Sequence, residues 1–436
     1  MNRRIAISSL VFLLLLAAPN VAVAQSYARS PATQAQLATW RTDIRKTLYI
    51  PEALPALNPQ SFGRFSPESG VVAERLLYST TYGMRVAAIL YRPEHPKGKI
   101  PAYVLINGHG GDKYSWYATY TGVLFARGGA AVLTYDPLGE GESNIERRSH
   151  TRAHDFVVDI PSIPQRLTGF MVAEAMQGIS YLQQRSEMDP QRVSILAYSM
   201  GTYIGVLAGA VDPRIDAVVL SAGGNLDGPK GYWDSGKPMC QGGSYTALIP
   251  VLGDRGAVIY ALNQQRGTTF IMNGTADSLI TKPNTQQPFF DDLAKRVVEI
   301  TGTKKSLFET YWFQDAGHRP SWDTRPSMLW IEDHIGFPNW TREQIQQMPE
   351  THIGNWFIKT NADVETEFRT EKSEAGINAL GINVPAIPRT QLNVLPDSAW
   401  PDRNHSLIYE TWLGRASSDG SSGIQASSRS KADLLY

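Results

Sequence analysis

The chain has 436 residues, 42% of them hydrophobic, enough for one large domain with additions or for two domains. Forty-one lysines and arginines balance forty-one aspartates and glutamates, so the sequence carries no charge footprint of nucleic-acid or membrane-surface binding. The single cysteine, Cys240, excludes an internal disulfide and reads as a buried small side chain.

In chain order, Arg3 and Arg4 precede an apolar run over residues 5–18, and Ala22-Val23-Ala24 puts small residues where a signal peptidase reads. Residues 1–24 are expected to be a signal peptide cleaved before Gln25, making the protein secreted or periplasmic. The run is too short for a comfortable span, so no stable membrane insertion is expected after cleavage. Residues 25–70 read as an N-terminal arm, with a helix over 34–47 and a proline-rich extended wrapper over 51–67.

From 71 onward strands and helices alternate. Residues 84–91 are apolar and end before Pro93, which predicts an outer strand of a sheet. A buried strand over 100–107 runs into Gly108-His109-Gly110-Gly111, where backbone N–H groups can approach a ligand closely. A helix reaching Leu124, a strand over 130–135, the turn-rich stretch Asp136 to Ser143 and an amphipathic helix over 170–184 follow. Residues 193–197 form another buried strand, and Gly201, Ile204, Gly205, Leu207 and Ala208 have helical spacing. Only Tyr198-Ser199-Met200 separates the two. A turn this tight strains its middle residue and exposes its side chain at the carboxyl end of the strand.

Further strands are expected over 215–221, 268–273 and 307–313, with a helix marked by Phe290, Leu293, Val297 and Ile300 before the last. The fold class is therefore α/β, a mostly parallel, doubly wound sheet covered on both faces. Residues 222–266, rich in Gly, Tyr and Trp, read as a lid-like insertion or as a packed surface loop. In the first reading Tyr198, Tyr232 and Trp233 are candidate substrate-pocket residues. The catalytic domain is placed at 71–336. A C-terminal extension follows over 337–414, starting with a capping box at Thr341 and Gln344 and mostly irregular beyond Asn361. Residues 415–436, rich in serine and glycine, read as a disordered tail.

A serine hydroxyl needs an adjacent base to act as a nucleophile at neutral pH. Two later strands end in loops carrying suitable partners, Asp277 in Asn273-Gly-Thr-Ala-Asp277 and His318 in Gly317-His318. Their order after Ser199 is the one this architecture uses, whereas Asp315, three residues before His318, reads as a loop-ordering rival. The backbone N–H of Met200, with that of His109 or Gly110, is the candidate oxyanion hole.

Asn107-Gly-His-Gly-Gly111, Asp136-x-x-Gly-x-Gly-x-Ser143, Ala197-Tyr-Ser-Met-Gly201, Gly274-x-x-Asp277 and Gly317-His318 together resemble the α/β-hydrolase superfamily. Within it, the chain is similar to dienelactone-hydrolase and acetyl-xylan-esterase-like serine esterases over residues 71–335, with Ala197 where a glycine is usual. The resemblance implies the α/β-hydrolase fold and catalytic roles for Ser199, Asp277 and His318. It also implies a small-molecule or carbohydrate ester substrate, with no cofactor and no metal. A peptidase of the prolyl-peptidase type is the rival, although only about fifty mature residues precede the first core strand, too few for a propeller. A non-catalytic binding protein on the same fold is a second, which the complete Ser-His-Asp set argues against.

Overall fold

A computed structural model describes residues 31–155, 167–237, 239–263, 267–280, 286–303, 308–362, 377–400 and 406–419. The expected signal peptide and residues 420–436 of the expected tail lie outside the described residues. Nine strands form one sheet: β1 (Gln60–Glu68), β2 (Val71–Ser79), β3 (Arg85–Pro93), β4 (Ile100–Ile106), β5 (Ala131–Tyr135), β6 (Met188–Tyr198), β7 (Ala217–Ser221), β8 (Thr268–Gly274) and β9 (Phe308–Phe313). Their spatial order is β1-β2-β3-β5-β4-β6-β7-β8-β9. From β5 to β9 every pairing is parallel, while β1, β2 and β3 add an antiparallel flank.

The central strands are buried on both faces, which is why they read as unbroken apolar runs. Val104, Ile106, Ile195 and Ala197 belong to a core shared with α1 (Gln34–Thr47), α3 (Leu167–Gln184) and α4 (Met200–Val211). Tyr103, Leu105 and Leu196, pointing the other way, belong to a second core with α2 (Trp116–Arg127) and the C-terminal extension. The α2 helix is apolar nearly all round because it is sandwiched: sheet on one side, Trp356 and Phe357 on the other.

The strand order reverses between β4 and β6. After β4 the chain moves outward to β5, then crosses under α3 to β6 on β4's other side. Ligand sites of open α/β sheets form where such a reversal parts the loops at the carboxyl ends. Here that places the Gly108–Gly111 loop beside Ser199, with Ile106 paired to Ala197 just beneath.

Four expectations need correction. The arm is not a wrapper throughout, since residues 60–68 join the sheet as β1. Phe62 and Phe65 pack against the second core, and Glu68 pairs with Arg127 of α2. Consequently β3 is not an outer strand but the third from the edge. The helix Tyr409–Asp419 runs into the stretch expected to be a disordered tail. It is anchored by Trp412, whose ring meets Phe170 at 5.3 Å and whose Nε1–H donates to the Tyr82 carbonyl at 2.8 Å. The insertion is no simple loop either. It folds into four short helices, Tyr232–Ser235, Met239–Thr246, Ile249–Leu252 and Arg255–Asn263.

The extension is fastened to the catalytic core by a buried charge network. Glu142, wholly buried in the 136–143 turn, accepts the backbone N–H groups of Val394 at 2.7 Å and Leu395 at 3.0 Å. It also faces Lys113 Nζ at 2.9 Å and Arg147 Nη2 at 3.1 Å. Lys113 in turn bonds Asp136, which accepts the N–H of Glu142 at 2.8 Å. Charges this deep persist only when paired and fully hydrogen-bonded.

Candidate active site

Ser199 stands between β6 and α4 with φ 52° and ψ −119°, a backbone conformation that non-glycine residues avoid at a cost of roughly 1–3 kcal/mol. The strain is imposed by crowding beneath the turn. A Cβ on Gly201 would sit 2.5 Å from the Ile106 carbonyl oxygen and 2.6 Å from that of Asn107. Only glycine lets the first turn of α4 press so closely on the end of β4. The Gly108 loop also presses on the elbow: a Cβ there would lie 2.7 Å from the Tyr198 ring and 3.3 Å from Ser199 Cβ.

His318 Nε2 lies 2.7 Å from Ser199 Oγ, and its Nδ1 lies 2.7 Å from Asp277 Oδ2. Asp277 is fully buried, and its other oxygen accepts the N–H groups of Leu279 at 2.9 Å and Ile280 at 3.2 Å. Those bonds fix the carboxylate plane. The loops after β8 and β9 are laced together: Thr275 N–H donates to the Phe313 carbonyl, Ala276 N–H to that of Ala316, and Asp315 N–H to Thr275 Oγ1. Asp315 itself is exposed and accepts from its neighbour Gln314, so it shapes the loop.

The N–H of Met200 opens α4 and donates to no protein acceptor among the described residues, at the positive end of the helix dipole. In the glycine loop the Gly108 N–H is occupied by the Tyr117 hydroxyl at 3.2 Å. The His109 and Gly110 N–H groups have no such partner among the described residues. The His109 side chain turns aside to Asp155, with Nε2 2.7 Å from Oδ1.

Tyr198 is not an open pocket wall. It is buried under the site, its hydroxyl donating to the His318 carbonyl and its ring 5.3 Å from the imidazole. Trp233 is a second correction: it is 3% exposed, its ring tilted against Tyr203 of α4 at 4.8 Å and against Tyr245 at 5.2 Å, with Nε1–H donated to the Asn225 carbonyl. The insertion needs an aromatic centre of its own, built over the fully buried Arg255, and Trp233 supplies part of it. Tyr232 is half-buried beside Lys237, whose Nζ lies 5.1 Å from its ring centroid.

Two features escaped the sequence reading. Ser221, at the end of β7, accepts the Ser321 N–H at 2.8 Å and donates to the Arg319 carbonyl at 2.9 Å. Its own carbonyl accepts the Ser199 N–H at 2.9 Å, so one strand end ties the His318 loop to the elbow. The second is a cluster behind the glycine loop, in which His109, His154 and Asp155 each present a potential metal-ligating atom within 4.8 Å of the others. Burial pushes His154 down to about 4. Burial also raises the Cys240 thiol, whose Sγ is 3.2 Å from Asp155 Oδ1, so Cys240 is buried as expected but also hydrogen-bonded.

A profile of the alpha/beta hydrolase family matches residues 103–363. YtaP of Bacillus subtilis (strain 168), a hydrolase by name, is 24% identical over 194 residues, 41% of this chain. The chain spans 63% of the length of that curated relative. Among solved structures, Methylesterase BT1017 superposes with a TM-score of 0.57 at 17% identity, covering 88% of this chain and 76% of that one. Acetyl xylan esterase 1 from Thermoanaerobacterium sp. JW/SL YS485 gives 0.43 at 16% identity, covering 68% and 92%.

Proposed function

The chain belongs to the alpha/beta hydrolase family, and on that premise we propose that it is a serine hydrolase of carboxylic esters acting through Ser199, His318 and Asp277. The observation that carries this reading is the unbroken hydroxyl–imidazole–carboxylate chain, both links 2.7 Å long.

In the proposed reaction His318 Nε2 takes the Ser199 proton as Oγ attacks the ester carbonyl. Asp277 holds the Nδ1–H tautomer and stabilises the imidazolium that forms. The N–H of Met200 and that of His109 or Gly110 stabilise the oxyanion. His318 then protonates the departing alcohol, and water cleaves the acyl-enzyme by the reverse proton path. Short acyl esters, including acetyl esters on carbohydrate, are the proposed substrates, and export through residues 1–24 the proposed route to them.

The test is a substrate panel: p-nitrophenyl esters of increasing chain length, acetylated xylan and aromatic esters, against aminoacyl and prolyl amides. Ester turnover with fluorophosphonate labelling at Ser199 supports the reading. Turnover of the amides alone, or most activity surviving in Ser199→Ala, rejects it.

A further inference from the structure

Behind the glycine loop, His109, His154 and Asp155 converge from two separate turns, one after β4 and one ahead of α3. His154 is wholly buried, and its Nδ1 lies 3.2 Å from the Leu138 carbonyl oxygen. That contact assigns the ring proton to Nδ1 and leaves Nε2 as a bare lone pair. Among the described residues Nε2 has no hydrogen-bond partner. A buried polar atom without a partner asks for an explanation. One ring nitrogen anchored on a backbone carbonyl and the other left free is the arrangement by which proteins orient a metal-binding imidazole. Asp155, 2.7 Å from His109 Nε2, brings a carboxylate into the same space, with the Cys240 thiol as its outer hydrogen-bond partner at 3.2 Å.

We propose that His109, His154 and Asp155 form a binding site for a divalent transition-metal ion of the zinc type. Two imidazoles and one carboxylate suit a borderline ion, whereas magnesium and calcium select oxygen-rich sets. Three protein ligands leave a coordination position open for water or another small ligand. Binding breaks the His109–Asp155 hydrogen bond and moves the His109 ring proton to Nδ1, freeing Nε2 for the metal. The site lies outside the Ser199–His318–Asp277 chain and does not depend on the esterase reading. A metal there ties the glycine loop to the 153–155 turn.

The test uses the full chain stripped with a chelator and titrated with zinc chloride against a chromophoric chelator. The wild type is expected to take up about one equivalent, and zinc is expected to raise its melting temperature. His154→Gln and Asp155→Asn each remove a ligand and are expected to weaken binding by at least about 100-fold, beyond the loss seen for outer-shell changes. Asp155→Asn keeps the size of the half-buried side chain, so it reports even if His154→Gln fails to fold. Cobalt in place of zinc is expected to give visible ligand-field bands in the wild type and not in Asp155→Asn. Failure of the wild type to bind a stoichiometric ion, or wild-type affinity in Asp155→Asn, would overturn the proposal. Neither readout involves ester turnover, so the proposal and the esterase reading fail separately.

Discussion

The Tyr198 hydroxyl donates to the His318 carbonyl across 3.1 Å, so the residue before the nucleophile holds up the loop that carries its base. The Tyr198 ring is itself wedged 5.2 Å from Tyr117, edge to face. Tyr198→Phe keeps that wedge and deletes one bond. It is expected to lower kcat about 10-fold with KM little changed, at a stability loss of about 1 kcal/mol. Steady-state kinetics beside a urea melt check this. A rise in KM with no stability change would speak for direct substrate contact instead.

Ser199→Ala removes the attacking oxygen and is expected to lower kcat by roughly 10⁶-fold while leaving the melting temperature near that of the wild type. Asp277→Asn is expected to lose about 10⁴-fold, because an amide there favours the wrong imidazole tautomer. The order of these two losses is itself diagnostic. If Asp277→Asn retained most activity, another acid would have to orient His318.

Stability should depend on pH through Asp323. Burial raises its carboxyl to about 8, with Thr121 Oγ1 donating to Oδ2 at 2.8 Å and Oδ1 left without a partner. A folded-state value above the unfolded one of about 3.9 stabilises the protein fully below that lower value, a contribution lost as pH climbs through about 8. Asp323→Asn removes this titration. Thermal melts at about pH 5 and about pH 9 should show the variant gaining on the wild type at the higher pH. Parallel melting curves for both proteins would refute the assignment.

Glu142→Gln leaves Lys113 short of one charge and weakens the grip on the Val394 and Leu395 amides. Breaking a buried pair from one side typically costs about 3–5 kcal/mol. The loss should appear first as faster limited proteolysis after residue 377, before any global unfolding. Equal protection of the extension in both proteins would count against the clamp.

Trp356→Ala takes away the ring that meets Tyr120 at 5.4 Å and Trp116 at 6.3 Å, along with the Nε1–H donated to the Val384 carbonyl at 2.7 Å. A cost of about 3–5 kcal/mol is expected in denaturant melts. A loss below about 1 kcal/mol would mean that the extension covers α2 without stabilising it.

The parallel core was readable because buried strands are written as apolar runs with turn residues at their carboxyl ends, as at Ile106 and Tyr198. The candidate acid and base were readable for the same reason, each standing just past a strand. What stayed hidden depends on contacts between distant segments. The β1 strand is interrupted by Gly63 and Pro67 and bulged twice, so no alternation announces it. Ala197, where a smaller residue is usual, is accommodated by Gly205 one turn into α4: a Cβ at 205 would lie only 3.0 Å from the alanine methyl. Trp233 looked like a pocket aromatic because its partner, Tyr203, lies in another element. His109 and Asp155 are 46 positions apart, a separation no local motif spans.

The Glu142 clamp also bears on how the protein may be cut. Trimming the chain to the span it shares with its family would discard β1, β2, β3 and the first residues of β4 together with the 394–395 amides. The shortened polypeptide would expose the flank of β5 and deprive Glu142 of the two backbone amides that complete its hydrogen bonding. The family-matched span is therefore not a detachable part here, and fragments for crystallisation or engineering should keep β1 to β3 and run through the helix ending at Asp419.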